Sequence, residues 1–395
     1  MNKISLDTIC TAENYNPPPQ KAHSMPLYAT SSFDINGLTE STELFSGGKQ
    51  GYMYSRYGNP NTVALAEKLA ALEGWQLEGA TSALMTASGM AAITAAVMAI
   101  MTPGSTLISH TGLYGATSEV FNLLADKVGF NIAWVDFSDM SEVERILESN
   151  VVNMIYVETP SNPLLNCVDL KLVSEIGIKH GAKTVADNTF ATPLIQQPLS
   201  YGIDVVVHST TKYLAGNGQS IAGAIITRDP ELYIILEKQI RLMGSHCSPF
   251  EAWMTYHGLK TLGLRLRKQV DNATQIFKAL TQMDQVTKIY FTGDPTHPQA
   301  NLIKAQMRQP VPMISFELKA GLSAANHFFD KIQLIRQATT LGDINTICLH
   351  PDTSSHRNIA LREKQKIGIT PGLIRLSVGI EDLIDLIGDL NQAIK

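Results

Sequence analysis

The stretch Val205-Val206-Val207-His208-Ser209-Thr210-Thr211-Lys212-Tyr213 decides how this chain of 395 residues is interpreted. Its β-branched start predicts a short buried strand, and a lysine follows after three hydroxyl residues. A strand end holds the amine on a rigid support, and partial burial makes an ammonium group lose its proton more easily, as a nucleophilic amine requires. The hydroxyls of Ser209 and Thr211 can bind a phosphate. The pattern therefore indicates that Lys212 is a Schiff-base lysine.

A carboxylate lies at the end of a second short apolar strand, in Thr184-Val185-Ala186-Asp187-Asn188-Thr189. Pyridoxal phosphate (PLP) chemistry needs such an acid. An anionic aspartate against the ring nitrogen keeps the pyridinium protonated, so that the ring can accept the electrons released from the substrate α-carbon. Asp187 and Lys212 together therefore point to PLP as the cofactor.

A glycine-containing turn, Thr86-Ala87-Ser88-Gly89-Met90, opens an Ala-rich apolar helix that continues to Ile100. Backbone N–H groups at a helix start form an anion site, and a glycine there has no side chain to block the approach of the anion. The turn at Gly89 is therefore suited to the phosphate of the cofactor.

Other motifs support different sites less well. The run Ser209–Lys212 also fits the S-x-x-K pattern of serine acyl-enzymes, with Ser209 as the nucleophile, but the S-D-N and K-T-G motifs of that class do not occur in the sequence. His350, Asp352 and His356 lack the spacing of metal ligands on a helix, so we expect no metal site.

Helical and strand patterns alternate from about residue 61. The predicted strands are 106–109, 132–135, 154–157, 184–186 and 205–208, and the predicted helices are 62–73, the segment after Gly89, 117–126, 141–148 and 170–180. Such alternation predicts an α/β fold with a mostly parallel sheet and helices on both faces, and ligands bind at the carboxyl ends of its strands. Beyond about residue 255 we expect a long amphipathic helix over 253–277, strands such as 313–318, and a terminal helix from Glu381.

Composition excludes several classes of protein. With 44% hydrophobic and 17% charged residues the chain can form two packed domains, and its formal net charge of −5 favours neither nucleic acid nor an anionic membrane as a partner. One basic cluster, formed by Lys260, Arg265, Arg267 and Lys268, is interpreted as the solvated face of a helix. Four scattered cysteines fit reduced thiols, and the sequence starts without the apolar core of a signal peptide. We therefore expect a cytoplasmic protein.

Five motifs occur in an order and spacing that resemble the Cys/Met metabolism PLP-dependent enzymes, the transsulfuration family. The family includes methionine γ-lyase, cystathionine γ-synthase, cystathionine γ-lyase, cystathionine β-lyase and O-acetylhomoserine sulfhydrylase. The resemblance covers nearly the whole chain and rests on these segments: Tyr54-Ser55-Arg56-Tyr57-Gly58-Asn59-Pro60, Glu158-Thr159-Pro160-Ser161-Asn162-Pro163, Ala186-Asp187-Asn188-Thr189, His208-Ser209-Thr210-Thr211-Lys212-Tyr213 and Ile374-Arg375-Leu376-Ser377-Val378-Gly379-Ile380-Glu381.

The resemblance implies PLP fold type I, the fold of aspartate aminotransferase. It consists of a mostly parallel central sheet with helices on both faces and a smaller α/β C-terminal domain. We expect an N-terminal arm over residues 1–60, a PLP-binding domain over 61–255 and a C-terminal domain over 256–395. The arm has turn formers such as Pro17-Pro18-Pro19 and little core of its own. The family pattern implies that it completes the site of a neighbouring subunit in a homotetramer, a dimer of dimers with shared active sites.

The resemblance also assigns roles to single residues. Lys212 corresponds to the Schiff-base lysine and Asp187 to the partner of the pyridinium nitrogen, while Asn162 corresponds to a contact of the ring oxygen. The cofactor phosphate would be bound by Gly89, Met90, Ser209 and Thr211, with Tyr54 and Arg56 reaching it from the neighbouring subunit.

A second group of residues is assigned to the amino-acid substrate by the same resemblance. Arg375 would bind the substrate carboxylate with two hydrogen bonds. Tyr114, in Leu113-Tyr114-Gly115, would stack on the cofactor ring and take part in proton transfer, and Thr339 and Thr340 would lie beside the substrate.

The chain departs from the subfamilies at positions that bear on the substrate. Methionine γ-lyases usually have cysteine two residues after the tyrosine that matches Tyr114, and this chain has Ala116. Cystathionine γ-lyases and γ-synthases commonly have a glutamate where this chain has Thr339. The segment 243–247 matches neither group well, and the internal insertion of O-acetylhomoserine sulfhydrylases is missing.

These features favour a PLP-dependent C–S lyase that catalyses γ-elimination on a sulfur or other γ-substituted amino acid. It would resemble methionine γ-lyase and give 2-oxobutanoate, ammonia and a thiol. The alternatives are γ-replacement, of the cystathionine γ-synthase or O-acetylhomoserine sulfhydrylase type, and a cystathionine lyase. A non-catalytic PLP-binding protein is a further alternative.

Overall fold

The computed structural model describes residues 4–15, 21–358, 362, 364 and 367–395. The proline run Pro17–Pro19 and the first three residues lie outside this range. Within it, no helix is long and apolar enough to cross a membrane.

Fourteen α-helices lie in the described part of the chain. They are α1 (Leu6–Thr11), α2 (Gly37–Ser46), α3 (Pro60–Glu73), α4 (Gly89–Ile100), α5 (Gly115–Val128), α6 (Met140–Ser149), α7 (Leu170–His180), α8 (Thr192–Ile195), α9 (Pro230–Met243), α10 (Pro249–Leu259), α11 (Leu262–Leu280), α12 (Ala300–Gln306), α13 (Leu322–Lys331) and α14 (Leu383–Ala393), with a 3₁₀ turn at Pro198–Tyr201.

Twelve strands of the described chain form two sheets. They are β1 (Ser82–Thr86), β2 (Thr106–His110), β3 (Asn131–Val135), β4 (Val152–Glu158), β5 (Lys183–Asp187), β6 (Val205–His208), β7 (Gly223–Thr227), β8 (Val286–Tyr290), β9 (Met313–Leu318), β10 (Arg336–Gln337), β11 (Ile347–Leu349) and β12 (Leu373–Ser377).

The larger sheet has the strand order β1-β7-β6-β5-β4-β2-β3. The five strands from β6 to β3 are parallel, whereas β7 runs antiparallel to both of its neighbours, β6 and β1. The prediction of a mostly parallel sheet is therefore confirmed. Because parallel strands end at the same edge, the residues that follow β4, β5 and β6 meet there.

Helices cover both faces of this sheet, as β4 illustrates. Met154 and Tyr156 pack into a core that includes Ala92 and Phe121, on the side of α4 and α5. The alternate residues Ile155 and Val157 pack with side chains of α6 and α7 on the other side. A strand buried on both faces needs apolar residues at every position, which explains its continuous hydrophobic run.

The smaller sheet has the order β10-β11-β12-β9-β8 and is antiparallel except for the pair β10–β11. Its core includes Phe316, Phe328 and Leu386, contributed by β9, α13 and α14. A smaller C-terminal α/β unit was predicted. The predicted boundary between residues 255 and 256 falls inside α10 and stays a prediction.

The predicted single helix over 253–277 is wrong, because α10 ends at Leu259 and α11 begins at Leu262. The carbonyl of Gly258, freed at the end of α10, accepts a hydrogen bond from Arg265 Nη2 at 2.9 Å. Arg265 also donates to the carbonyl of Tyr213 at 3.0 Å. Its side chain is therefore buried against the segment that follows Lys212, and the interpretation of this basic cluster as a solvated face is wrong at Arg265.

Residues 4–15 of the predicted arm form regular structure that their sequence does not predict. The short helix α1 packs on the body of the same chain, where Cys10 is buried and Lys68 Nζ donates to the carbonyls of Cys10 and Ala12 at 3.1 and 2.7 Å. The ammonium group of Lys68 also lies 3.9 Å from the centre of the Tyr256 ring. These contacts attach residues 4–15 to α3 and α10.

Candidate active site

Three neighbouring strands of the large sheet bring charged and polar residues to its carboxyl edge. β4 ends at Glu158, β5 ends at Asp187, and β6 ends at His208, four residues before Lys212. In the register of the sheet, Glu158 is paired with Asp187, which in turn is paired with Val207. The two carboxylates are thus side by side at adjacent strand ends.

A cavity of about 310 Å³ opens at this edge. It is lined by Ser88, Gly89, Met90, Ile93, Tyr114, Glu158, Asn162, Asp187, Thr189, Phe190, Ser209, Thr211, Lys212, Ile221, Thr339, Leu341, Leu349, Ser355 and Arg375. Ten of the residues predicted for the site are in this lining: Gly89, Met90, Tyr114, Asn162, Asp187, Ser209, Thr211, Lys212, Thr339 and Arg375. Segments that are far apart in the sequence therefore converge on one cavity.

Lys212 has the environment that the sequence predicts for a nucleophilic lysine. Burial, together with the nearby charge of Arg375, lowers the pKa of Lys212 to about 8. Its Nζ donates to Thr340 Oγ1 at 3.3 Å. The backbone around Thr340 can approach Lys212 closely because Gly342 has a φ of +75° and no side chain, and a Cβ there would lie 2.5 Å from the backbone nitrogen of Tyr213.

Asp187 is a half-buried carboxylate held at the end of β5. Its Oδ1 accepts from the backbone N–H of Thr189 at 3.0 Å, and its Oδ2 accepts from the hydroxyl of Tyr156 at 3.3 Å. Burial raises the pKa of Asp187 despite these hydrogen bonds. A cationic ring nitrogen beside Asp187 would stabilise its ionised form, so this carboxylate fits the predicted cofactor.

The start of α4 and the segment after β6 form a tight junction that fits a phosphate. Ser88 Oγ caps the helix by accepting from the N–H of Ala91 at 3.1 Å, and the first N–H groups of a helix have no acceptor within it. A Cβ at Gly89 would lie 2.7 Å from the Cβ of Ser209, so only glycine allows this approach. Thr211 Oγ1 is held by the backbone of Ala222, to which it donates at 3.2 Å. The residues present therefore fit PLP.

Arg375 lies on β12 of the small sheet and reaches the cavity from the C-terminal side. Its Nη1 donates to Asn162 Oδ1 at 3.0 Å and its Nη2 to the carbonyl of Thr340 at 3.1 Å. Burial lowers the pKa of Arg375 to about 10, and its Nε has no hydrogen-bond partner among the described residues. A buried guanidinium with an unused donor can bind a carboxylate.

The position of Glu158 was not predicted as part of the site. Its Oε2 accepts from the backbone N–H of Tyr114 at 2.9 Å, and its Oε1 accepts from the backbone N–H of Asn162 at 3.0 Å. Burial and the neighbouring Asp187 raise the pKa of Glu158 to about 8. Glu158 is the first residue of the Glu158–Pro163 motif, and this place at a strand end is the feature of the sequence that could have identified its role.

Other lining residues carry no motif. Tertiary packing brings four of them to the cavity: Ile221, Leu341, Leu349 and Ser355. The backbone carbonyl of Ser355 packs against Gly115 at the start of α5. Together with Thr339 these four form the neutral set of the cavity. Glu158, Asp187, Lys212 and Arg375 form its charged set.

Tyr54 and Arg56 lie outside this cavity. Both line another cavity with Ser55 and His246, and Arg56 Nη1 donates to the carbonyl of Arg241 at 3.0 Å. Within a single chain they therefore line a different cavity from Lys212, and their predicted role requires a neighbouring subunit.

Comparisons with known proteins agree with this geometry. Residues 7–395 match the model of the family described as Cys/Met metabolism PLP-dependent enzyme. The L-methionine γ-lyase of Fusobacterium nucleatum subsp. nucleatum is 38% identical over 379 residues, which cover 94% of this chain and 93% of that protein. The O-succinylhomoserine sulfhydrylase of Pseudomonas aeruginosa is 34% identical, with 99% and 95% covered.

A solved structure gives the same result for the fold. Cystathionine γ-synthase from Xanthomonas oryzae pv. oryzae, in complex with aminoacrylate and cysteine, has a TM-score of 0.92 and 36% identity, with 99% of this chain and 98% of that chain covered. Fold type I is therefore confirmed, and PLP is the cofactor. The chain belongs to the Cys/Met metabolism PLP-dependent enzyme family.

Proposed function

We propose that this chain is a C–S lyase that catalyses γ-elimination on a sulfur or other γ-substituted amino acid. The products from methionine would be 2-oxobutanoate, ammonia and a thiol. The observation that carries the proposal is the neutral set of the cavity. Of the charged lining residues, Asp187, Lys212 and Arg375 would bind the cofactor or the α-amino-acid part of the substrate, and the carboxylate of Glu158 is occupied by two backbone N–H groups. The neutral set contains no ionisable side chain.

A neutral set favours a neutral γ-substituent. Cystathionine carries a second ammonium and a second carboxylate at its distal end, and burying them without charged partners costs free energy. The side chain of methionine ends in an apolar thioether, which the leucines and the neutral hydroxyls of the neutral set can accommodate. The identity of 38% to an L-methionine γ-lyase is consistent with this choice.

The residues of the site would have the following roles. Arg375 would bind the substrate α-carboxylate, and its hydrogen bond to Asn162 fixes the plane of the guanidinium. PLP, when bound, supplies an electron sink that stabilises negative charge at the substrate α-carbon. Asp187 would hold the ring nitrogen, and the junction of Gly89, Ser209 and Thr211 the phosphate.

Lys212 and Tyr114 would move the protons. The neutral amine of Lys212 would take the α-proton, and a pKa of about 8 makes this neutral form more abundant than for an ordinary lysine. Because only the neutral amine is a base, turnover should rise as the pH rises toward 8. Removal of a second proton, from the β-carbon, would supply the electron pair that expels the γ-substituent, and Tyr114 would donate a proton to the departing thiolate, so that it leaves as a thiol. Hydrolysis of the remaining product then replaces its nitrogen with the oxygen of water and releases ammonia.

The second candidate function is γ-replacement, in which a thiol attacks the carbon that has lost its substituent. The identity of 34% to an O-succinylhomoserine sulfhydrylase and the likeness to a cystathionine γ-synthase favour it. A cystathionine lyase and a non-catalytic PLP-binding protein are the remaining alternatives. Elimination and replacement both use the same charged set. They differ in whether the neutral set also accommodates a thiol that attacks the γ-carbon.

We also propose a homotetramer in which Tyr54 and Arg56 complete the site of a neighbouring subunit. The support is that Tyr54 is 42% exposed in the single chain and Arg56 beside it is half-buried. Arg56 contacts the rings of Tyr54 and Tyr57, at 5.5 and 5.1 Å from their centres, so the three side chains form one surface cluster.

The proposal is tested by substrate profiling. The purified, PLP-loaded protein is mixed separately with L-methionine, L-homocysteine, L-cystathionine, O-acetylhomoserine and L-cysteine, and keto acid, ammonia and thiol are measured. We expect 2-oxobutanoate and ammonia in equal amounts from methionine or homocysteine. Formation of a thioether from O-acetylhomoserine and a thiol, at a rate above any elimination, would move γ-replacement to first place.

A further inference from the structure

Glu158 connects two segments that line the cavity. The backbone N–H of Tyr114, just before α5, donates to one carboxylate oxygen, and the N–H of Asn162, in the loop after β4, donates to the other. The distances are 2.9 and 3.0 Å. One side chain thus ties the loop after β2 to the loop after β4.

The path continues from Asn162 to the reactive amine. Arg375 Nη1 donates to Asn162 Oδ1, Arg375 Nη2 donates to the carbonyl of Thr340, and Lys212 Nζ donates to Thr340 Oγ1. Apart from Glu158, the residues on this path are those assigned to the cofactor ring, the substrate or the proton transfers. A displacement of Asn162 would therefore be transmitted to Arg375.

We propose that Glu158 is a positioning residue that holds Tyr114 and the Asn162–Arg375 pair at a fixed separation in the wall of the cavity. This inference rests on the proposed function, since it assumes that Tyr114 and Arg375 act on an amino-acid substrate.

The ionised form of Glu158 is the form that does this. A carboxylate offers a charged acceptor oxygen to both N–H groups, whereas the hydroxyl oxygen of a protonated carboxyl is a weaker, neutral acceptor and its O–H needs an acceptor of its own. The start of α5, a helix of 14 residues, also favours a negative charge. Burial and the repulsion from Asp187 both raise the pKa of Glu158 and oppose its ionisation, and a cationic ring nitrogen beside Asp187 would weaken the repulsion. Cofactor binding should therefore tighten the connection.

The decisive variant is Glu158→Gln in the PLP-loaded protein. Glutamine has the same size but only one acceptor oxygen, and its NH₂ group would face the second N–H. Amide hydrogen exchange should become at least about tenfold faster at Tyr114, at Asn162 or at both, as expected when a hydrogen bond to a charged group is lost. In steady-state kinetics kcat should fall because Tyr114 is displaced, and KM should rise because Arg375 is displaced.

Two further variants test separately the length of the side chain at position 158 and the effect of removing a carboxylate elsewhere in the protein. Glu158→Asp keeps the buried charge but is one methylene shorter, so it should fail to bridge both N–H groups and give the same pattern. Glu175→Gln changes an exposed carboxylate whose nearest cation is Lys171 at 3.8 Å, and should change nothing. If Glu158→Gln does not fold, the exchange pattern of Glu158→Asp decides.

Unchanged exchange at Tyr114 and Asn162 in a folded Glu158 variant would overturn the proposal, even if its kcat had fallen, because Glu158 would then act on the cofactor or substrate directly. Exchange does not depend on turnover. If the unmodified protein proved inactive on every γ-substituted amino acid, the proposed function would fail, and the exchange comparison would still decide the role of Glu158.

Discussion

The charged set and the neutral set of the cavity are built in different ways. In the charged set, Glu158 and Asp187 stand at the ends of parallel strands, and backbone N–H groups fix their carboxylates. The neutral set comes from loops and from β11, and Ile221 is 65% exposed whereas Leu349 is buried. Rigid strand ends suit groups that must be placed within a fraction of an ångström of a reacting atom.

This difference explains how one fold can serve several reactions. The charged set provides what every PLP-dependent reaction of an α-amino acid needs, namely a base, a partner for the ring nitrogen and a site for the carboxylate. The neutral set lies on segments that can change without disturbing the sheet. Substitutions in the two sets should therefore have effects of different kinds: loss of catalysis in the first and change of substrate in the second.

The largest effect is expected for Lys212→Ala. Without the amine there is neither a covalent attachment for the cofactor nor a base for the α-proton, so nearly all turnover should be lost. The unmodified protein should be yellow, and borohydride reduction should fix the cofactor on Lys212, as peptide mapping would show. Lys171→Ala, at a solvent-exposed lysine, is the control and should behave as the unmodified protein. Finding the reduced cofactor on another lysine would contradict the assignment.

A smaller loss is expected for Arg375→Ala, which tests the carboxylate site of the charged set. Charge-assisted hydrogen bonds of about 1.5–3 kcal/mol would be lost, so KM should rise by roughly 10- to 150-fold for every amino-acid substrate. Arg145→Ala is the matched control, since Arg145 is exposed and its nearest carboxylate is Glu142 at 3.7 Å. An unchanged KM in Arg375→Ala would place the carboxylate elsewhere.

Most of the charged set could be predicted from the sequence because its chemistry is local. Asp187 and Lys212 each follow a short β-branched or apolar run, and polar residues at the carboxyl ends of parallel strands converge whatever the rest of the chain does. Glu158 was missed because its role depends on two backbone N–H groups, those of Tyr114 and Asn162. A sequence does not show where an N–H group points.

The neutral set and parts of the fold depend on contacts between distant segments. Leu349 reaches the cavity because β11 pairs with β12 and places it opposite Arg375. The strands β1 and β7 were not predicted, since Ser82-Ala83-Leu84-Met85-Thr86 contains good helix formers and becomes a strand only through its antiparallel partner. The break between α10 and α11 likewise depends on Arg265, whose partners lie near Lys212 in space.

The neutral set is tested by Thr339→Glu, which should change substrate preference rather than abolish activity. A carboxylate at this position could bind the distal ammonium of cystathionine. The ratio of kcat/KM for cystathionine to that for methionine should rise about tenfold if about 1.4 kcal/mol of this interaction is present in the transition state. Thr339→Gln, of equal size and without charge, should leave the ratio unchanged. If the unmodified protein already prefers cystathionine, this argument about the neutral set is wrong.

The smallest effect is expected in a test of whether one chain alone contains a complete site. If Arg56 serves the phosphate site of a neighbouring subunit, Arg56→Ala and Lys212→Ala homomers are both inactive, but a mixed dimer has one site with both lesions and one with neither. Random exchange makes half of the dimers mixed, so about a quarter of the sites, and of the activity, should return. Subunit exchange is verified by mass spectrometry of differently tagged chains, and Arg56→Ala mixed with itself is the control. No recovery despite exchange would mean that Arg56 acts within its own chain, whereas an active Arg56→Ala homomer would mean that the site around Gly89 and Ser209 is sufficient.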